Sequence, residues 1–317
     1  MAIGVLFALV AGLMWGLAFV GPLLLPDYPA ALLVAGRYLA FGLVALPLAW
    51  WDRAGLRALS RADWWEALKL SAVGNLLYYL LLASAIQRAG GPVPTMVIGT
   101  LPVVIAISAN VLHRQRDGLL PWHRLLPCLA LILAGIACVN HVEMQALAQQ
   151  PQTDLARYAS GVALAVAAVV CWTWYPLRNA QWLRQHPDRS PRAWATAQGL
   201  ATLPMAWLGY VAFWAWNATA SQPTPMPLGP RPLVFAGLML AMGLLTSWLA
   251  THCWNEASQR LPTALAGQFI VFETLAALLY AYLLRGEAPA YLTLAGVALL
   301  VGGVVLALRI RPRAVAG

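Results

Sequence analysis

Runs of about 20 apolar residues, unbroken by charge, recur along almost the whole of this 317-residue chain. A lipid core holds no water to satisfy backbone N–H and C=O groups. A chain crossing it must therefore close those bonds within each segment as helix, or around a closed barrel. The runs are continuous rather than alternating, which selects helices over barrel strands. A helix rises about 1.5 Å per residue across a hydrocarbon core of about 30 Å, so cutting at charged and Pro/Gly clusters predicts ten spans. They fall near residues 3–25, 29–51, 64–87, 92–112 and 121–141, then near 158–181, 193–216, 232–257, 262–284 and 290–309. Only 10% of residues are charged, against about 25% in soluble domains, so the fold class is an all-α membrane protein.

Basic residues set the expected orientation. With the N-terminus in the cytoplasm, the cytoplasmic bridges and tail hold Arg53, Arg57, Arg61, Arg114, Arg116, Arg124, Arg178, Arg184, Arg189, Arg192, Arg260, Arg309, Arg311 and Arg313. The opposite side receives Arg88, Arg157, Arg231 and Arg285. That asymmetry predicts both termini inside, in a bacterial-type inner membrane. Trp50, Trp51, Trp64 and Trp65 bracket the first inner loop, and Trp214 and Trp216 close the seventh span, as an interfacial belt would. The formal charge of +9 is spread over these short bridges, which argues for topology signals and against nucleic-acid binding. The first segment lacks a basic leader and a cleavage site, so it reads as a span. Cys128, Cys138, Cys171 and Cys253 lie in apolar runs with no Cys-x-x-Cys pair, and read as small buried hydrophobes.

Two stretches recur. Gly4-Val5 with Trp15 returns as Gly161-Val162 with Trp172, and Ala85-Ile86-Gln87-Arg88 returns as Ala257-Ser258-Gln259-Arg260. Five spans per unit invert the second copy in the membrane, giving repeats over 1–150 and 151–317 that enclose a shared central cavity. The segment from Glu143 to Arg157 is the expected hinge, and the Pro-rich stretch from Ser221 to Pro232 an external loop. Leu133-Ala134-Gly135 and Val301-Gly302-Gly303 predict close approach of the fifth and tenth spans. An offset of 172 residues, read from the second match, sets Leu101-Pro102 opposite Glu273-Thr274 and Gln115 opposite Glu287, so the carboxylates belong to one half.

The chain resembles the ten-helix EamA-type branch of the drug/metabolite transporter superfamily over almost its whole length. The resemblance rests on Leu13-Met14-Trp15-Gly16, Val170-Cys171-Trp172, Gly36-Arg37-Tyr38-Leu39, and Leu283-Leu284-Arg285-Gly286-Glu287 followed by Leu294-Ala295-Gly296-Val297. The first-half counterpart of the Gly-Glu pair reads His113-Arg114-Gln115 and departs from the pattern. Within the superfamily the chain looks most like the YddG-type amino-acid exporters, through Trp254-Asn255 and Leu101-Pro102. The resemblance implies a helical basket around a central cavity, alternating access and efflux of small amphipathic metabolites.

A charge at mid-membrane costs about 2.5–3.5 kcal/mol, so polar groups there face a cavity or a partner. Glu273 is the deepest, and reads as a substrate-amine ligand, a proton-coupling carboxylate, or a structural partner of an arginine. Arg37 could snorkel or pair with Glu273, and the family pattern suits a structural or gating role. Asn75 and Tyr78 share a face at i, i+3, and Trp248, His252 and Glu256 form a row at i, i+4. Gln268 lies five residues before Glu273, so the two are not on quite the same face. Trp15 and Trp172 lie mid-span, where an indole is expected to line a cavity. Gly12 and Gly16 predict a tightly packed face on the first helix. Pro102, placed mid-span, is expected to kink the fourth helix, and a kinked pore-lining helix can serve as a gate.

These features predict an exporter of small amphipathic metabolites, amino acids including aromatic ones, working as a monomer in the bilayer. A passive facilitator or channel of the same fold is the alternative. A membrane enzyme would need a catalytic constellation, and the five histidines are scattered with none in sight, so the chain is not read as an enzyme. No metal or organic cofactor is implied.

Overall fold

A computed structural model describes residues 2–89, 94, 97–112, 121–148, 155–286 and 288–310. Helices make up the structure, with no strand among the described residues. We label them α1 (Ala2–Leu24), α2 (Ala30–Trp51), α3 (Arg61–Ala89), α4 (Leu101–Leu112), α5 (Trp122–Ala148), α6 (Leu155–Gln185), α7 (Pro191–Asn217), α8 (Pro232–Arg260), α9 (Val271–Arg285) and α10 (Tyr291–Leu308). Short helices Arg53–Arg57 and Thr263–Gln268 precede α3 and α9. Six segments are long and apolar enough to cross a bilayer: α1, α2, α3, α6, α8 and Leu265–Leu284. Three shorter apolar helices, Leu101–Val111, Trp122–Cys138 and Tyr291–Ala307, accompany them.

The packing is reciprocal. Helix α1 lies on α8 and α9, while α6 lies on α3 and α4. The remaining large contacts join α2 to α7, α5 to α10, and α4 to the short helix before α9. In lipid the apolar effect does not drive such pairing, so close backbone approach must. Gly12 abuts Phe272 and the Glu273 backbone, and Gly16 abuts Ala276, which realises the tight face expected of α1. Gly135 meets Gly296 and Leu300, and Gly303 meets Cys128 and Ile132, joining α5 to α10 as their small residues predicted. The two recurring sequence stretches meet each other across the halves: Gly4 touches Arg260 and Leu261, and Gly161 touches Arg88 and Ala89.

Two features were not foreseen. Helices α3 and α8 each contain a seven-residue π-helical segment, Ser71–Leu77 and Gly243–Leu249, at the offset of 172 residues. A π turn rotates the side-chain register of everything beyond it. Second, the expected ninth span is broken: Thr263–Gln268 ends in a turn at Phe269 and Ile270 before α9 begins. Gly286, at φ +68°, terminates α9 in the left-handed conformation that favours glycine.

Boundaries moved where helices outlast their apolar cores. Helix α5 runs to Ala148 and α6 starts at Leu155, so much of the expected Glu143–Arg157 hinge is helical, and 149–154 lie outside the described residues. Arg114, Gln115, Arg116, Glu287, Arg311 and Arg313 also lie outside them. The Pro-rich stretch forms a loop held by Tyr28, which stacks on Phe235, donates to the Leu228 carbonyl at 2.9 Å, and presses on Gly229 at φ +77°, where a side chain would collide. At the other end, three buried carboxylates tie the helix ends together. Asp52 accepts from Arg192 at 2.7 Å and Thr196 at 2.6 Å, Asp63 from Trp182 at 3.0 Å, and Glu66 from Arg178 at 2.5 and 3.1 Å. The four cysteines are free, with Cys138 alone less than fully buried.

Candidate functional site

The symmetric tryptophans come together. Trp15 of α1 meets Trp172 of α6 edge-on at 5.0 Å, and its other neighbour is Trp254 of α8 at 5.3 Å. Trp172 is sandwiched between Tyr78 at 4.4 Å and Tyr175 at 5.2 Å, with near-parallel rings. Each aromatic pair contributes about 0.5–1.5 kcal/mol beyond burial, so this cluster is a rigid junction between the halves.

Glu273 sits against that junction, buried at 2% exposure, in the first turn of α9. The break before α9 places the carboxylate at a helix N-terminus, whose partial positive charge favours an anion. Trp172 Nε1 donates to its Oε2 at 3.3 Å. Tyr78 also interacts with Glu273 through its buried hydroxyl. No ion pair reaches Glu273 among the described residues.

Of the two arrangements open to Arg37, the salt bridge to Glu273 does not form. Arg37, buried at 4% exposure, is drawn to the π segment of α8, donating to Ser247 Oγ at 3.1 Å and the Thr246 carbonyl at 3.4 Å. Its guanidinium lies over the Tyr79 ring at 4.4 Å and the Tyr38 ring at 5.1 Å. Tyr79, which shares no face with Tyr78, is packed rather than lipid-facing and donates to the Ala18 carbonyl at 3.1 Å.

The other anticipated residues divide. Asn75, inside the π segment of α3, donates to Thr202 Oγ1 of α7 at 3.4 Å, and Tyr78 joins the tryptophan sandwich. Gln268 is buried at 1% exposure with neither end of its amide bonded. The α8 row forms a separate group: Trp248 donates to Thr196 at 3.1 Å and stacks on His252, which lies edge-on to Phe7, while Glu256 pairs with Arg260. Pro102 is not an interior kink. It is the second residue of α4, after a turn at Gly99 and Thr100, where a missing N–H breaks no helical bond.

Sequence reasoning missed a hydrogen-bonded ladder below the sandwich. Tyr175 donates to Gln198 at 3.0 Å, Gln198 and Trp194 donate to Asn179 at 3.2 and 2.9 Å, and Asn179 donates to Asn255 at 2.8 Å. All five are buried, and a fully bonded network of this kind is rigid. Its signal was present: Trp172, Tyr175, Asn179, Trp182 and His186 recur at three and four residues, one polar-aromatic stripe along α6. A separate cleft of 660 Å³, lined by Ser84, Gln87, Arg88, Ala156, Arg157 and Ser160, opens between α3 and α6 and takes in none of the sandwich residues.

Residues 2–141 match the model of the EamA-like transporter family. The chain is 57% identical over 309 residues to the inner membrane protein YtfF of Escherichia coli strain K12, covering 98% of this chain and 96% of that protein. A solved crystal structure shares the fold, with a TM-score of 0.69 at 19% identity over 97% of this chain and 96% of the other. With a relative that close along its whole length and the family pattern in its first half, this chain belongs to the EamA-like transporter family.

Proposed function

We propose that the protein is an inner-membrane exporter of small amphipathic metabolites, amino acids including aromatic ones, with both termini in the cytoplasm. It works by alternating access between two inverted five-helix units, 1–150 and 151–317. The reciprocal packing of α1 and α6, the paired π segments and the mutual contact of the recurring stretches support inverted units that rock against each other. The name of the Escherichia coli relative supports the inner membrane.

One observation carries the reading: a buried carboxylate with no ion pair among the described residues, at a helix break, bonded to Trp172, which in turn meets Trp15 of the other half. Such a group in a membrane core is costly to keep unless it handles a cation or proton. The ladder from Tyr175 to Asn255 then forms the floor of the site, and the carboxylate–arginine clasps at the helix ends hold one side shut.

Purified protein in liposomes should move labelled amino acids. Failure across a broad amino-acid panel defeats the substrate class. Glu273→Gln should abolish flux driven by a pH gradient while leaving exchange intact. Gradient dependence that survives the substitution removes Glu273 from coupling, and a wild type indifferent to the gradient makes the protein a facilitator.

A further inference from the structure

The cleft of 660 Å³ between α3 and α6 is lined by Ser84, Gln87, Arg88, Ala156, Arg157 and Ser160, with no carboxylate among these described residues. Its walls are locked close together. A Cβ at Gly161 would stand 2.6 Å from the Ala89 Cβ and 2.9 Å from the Ala89 amide nitrogen, so the last turn of α3 lies against the first turns of α6. Contacts across this seam bring both guanidiniums to one opening. Arg88 Nη1 donates to Ser160 Oγ at 3.2 Å, Ser160 Oγ donates to the Arg157 carbonyl at 2.7 Å, and Arg157 Nη2 donates to the Gln87 carbonyl at 3.0 Å. Helix α3 ends here and α6 begins here, so their end charges oppose each other and the two arginines set the sign of the cleft.

The second half of the chain holds the same arginine with its charge matched. At the offset of 172 residues, Arg88 corresponds to Arg260 and Ser84 to Glu256. Arg260 pairs with Glu256, one turn back on the same helix. Beside Arg88 a serine takes that place, and no ion pair reaches Arg88 among the described residues. Arg88 commits one nitrogen to Ser160, while a guanidinium carries five N–H donors in a fork that fits an oxyanion. A further cleft of 510 Å³ adjoins the first through Gln87 and Arg157, and its wall is mainly apolar, with Pro22, Leu23, Pro29 and Ile86. Asp27, which also lines it, is already held by Arg231.

We propose that this cleft binds a phosphate group, supplied by the head of an anionic phospholipid. Arg88 and Arg157 receive the phosphate oxygens, and Ser84 and Ser160 flank them with hydroxyls. The external phosphate stands where the Glu256 carboxylate stands in the second half. The site lies where two apolar helices reach their ends, the depth at which lipid head groups meet a membrane protein. Inorganic phosphate offers the same oxygens, but it has nothing to place in the adjoining apolar cleft. A lipid held there ties α3 of the first half to α6 of the second.

Delipidated full-length protein in a neutral detergent tests this by native mass spectrometry and thermal melts, with phosphatidylglycerol, phosphatidylcholine and inorganic phosphate as probes. Phosphatidylglycerol should bind about tenfold tighter than phosphatidylcholine and raise the melting temperature, less so as salt is added. Arg88→Gln and Arg157→Gln should each weaken phosphatidylglycerol about tenfold and leave phosphatidylcholine unchanged. Ser84→Glu rebuilds the carboxylate–arginine pair of the second half. It should melt at or above the wild type without lipid and lose the phosphatidylglycerol response, a combination that misfolding does not produce. Arg53→Gln removes the same charge from an exposed position outside the cleft and should keep the full response. Inorganic phosphate that matches the lipid in the melts, and displaces it, supports the phosphate site and overturns the lipid as its source. A wild type that responds to neither phosphatidylglycerol nor phosphate overturns the site. So does a Ser84→Glu protein that binds phosphatidylglycerol like the wild type, or an equal loss in Arg53→Gln.

Discussion

Gly16→Ala probes the α1–α9 contact that holds Trp15 and Glu273 in register. A Cβ at Gly16 would stand 2.5 Å from Ala276 Cβ, 2.9 Å from the Ala277 amide nitrogen and 3.0 Å from the Ala276 carbonyl carbon. Carbon atoms rest at about 3.5–4.0 Å, so the helices must part by about 1 Å to admit it. Two of the obstructing atoms are backbone and cannot rotate away. Overpacking of this kind costs about 1–3 kcal/mol, and the shift is transmitted to Trp15, one residue earlier, and so to its edge-on contact with Trp172. Gly237→Ala in α8 is the control, because nothing lies within 4 Å of a Cβ there. It should be neutral or slightly stabilising, as alanine is the better helix former. In thermal melts of the detergent-solubilised protein, Gly16→Ala should melt clearly below both the wild type and Gly237→Ala. Adding Ala276→Gly removes the nearest obstruction and should restore part of the loss. A Gly16→Ala protein that melts like the wild type, or a double variant no better than the sum of its parts, would refute the close packing of α1 on α9.

Asp52→Ala leaves the Thr196 hydroxyl proton without an acceptor at 0% exposure, at a cost of about 1–3 kcal/mol. Thr196→Val should cost a similar amount, and the two should be far from additive in the same melting assay, because they share one hydrogen bond. At the opposite end, the Arg231 guanidinium holds the exposed Asp27 carboxyl below its ordinary value of 3.8. A lowered folded-state value means the pair contributes above the unfolded carboxylate range and is lost as pH falls from about 4. Asp27→Asn should therefore lower the melting temperature slightly at neutral pH and leave it unchanged in strong acid. An equal effect at both would separate the contact from its charge.

Much of this protein was written along the chain. Hydropathy is a sum of transfer free energies taken residue by residue, so the apolar runs fixed the all-helical membrane class before any contact was known. Small residues act by what they lack, which is why Gly12, Gly16, Gly135 and Gly303 announced close helix contacts. The recurring stretches were legible for the same reason, since Gly4 and Gly161 are needed where Arg260 and Arg88 cross.

The partners of the polar groups were not legible, because they depend on how each helix is rotated about its own axis. A π segment in α3 and another in α8 turn those faces by an amount that hydropathy does not record. Arg37 consequently meets Ser247 and Tyr79 instead of Glu273. The turn at Gly99 and Thr100 likewise makes Pro102 a helix start, and the turn at Phe269 and Ile270 sets Glu273 on a helix N-terminus. The sequence by itself determined that apolar helices would be built and where they would touch most closely. Only the tertiary structure decided which buried charges and rings meet, since Trp172 and Glu273 are 101 residues apart and are joined by packing, not by any local pattern.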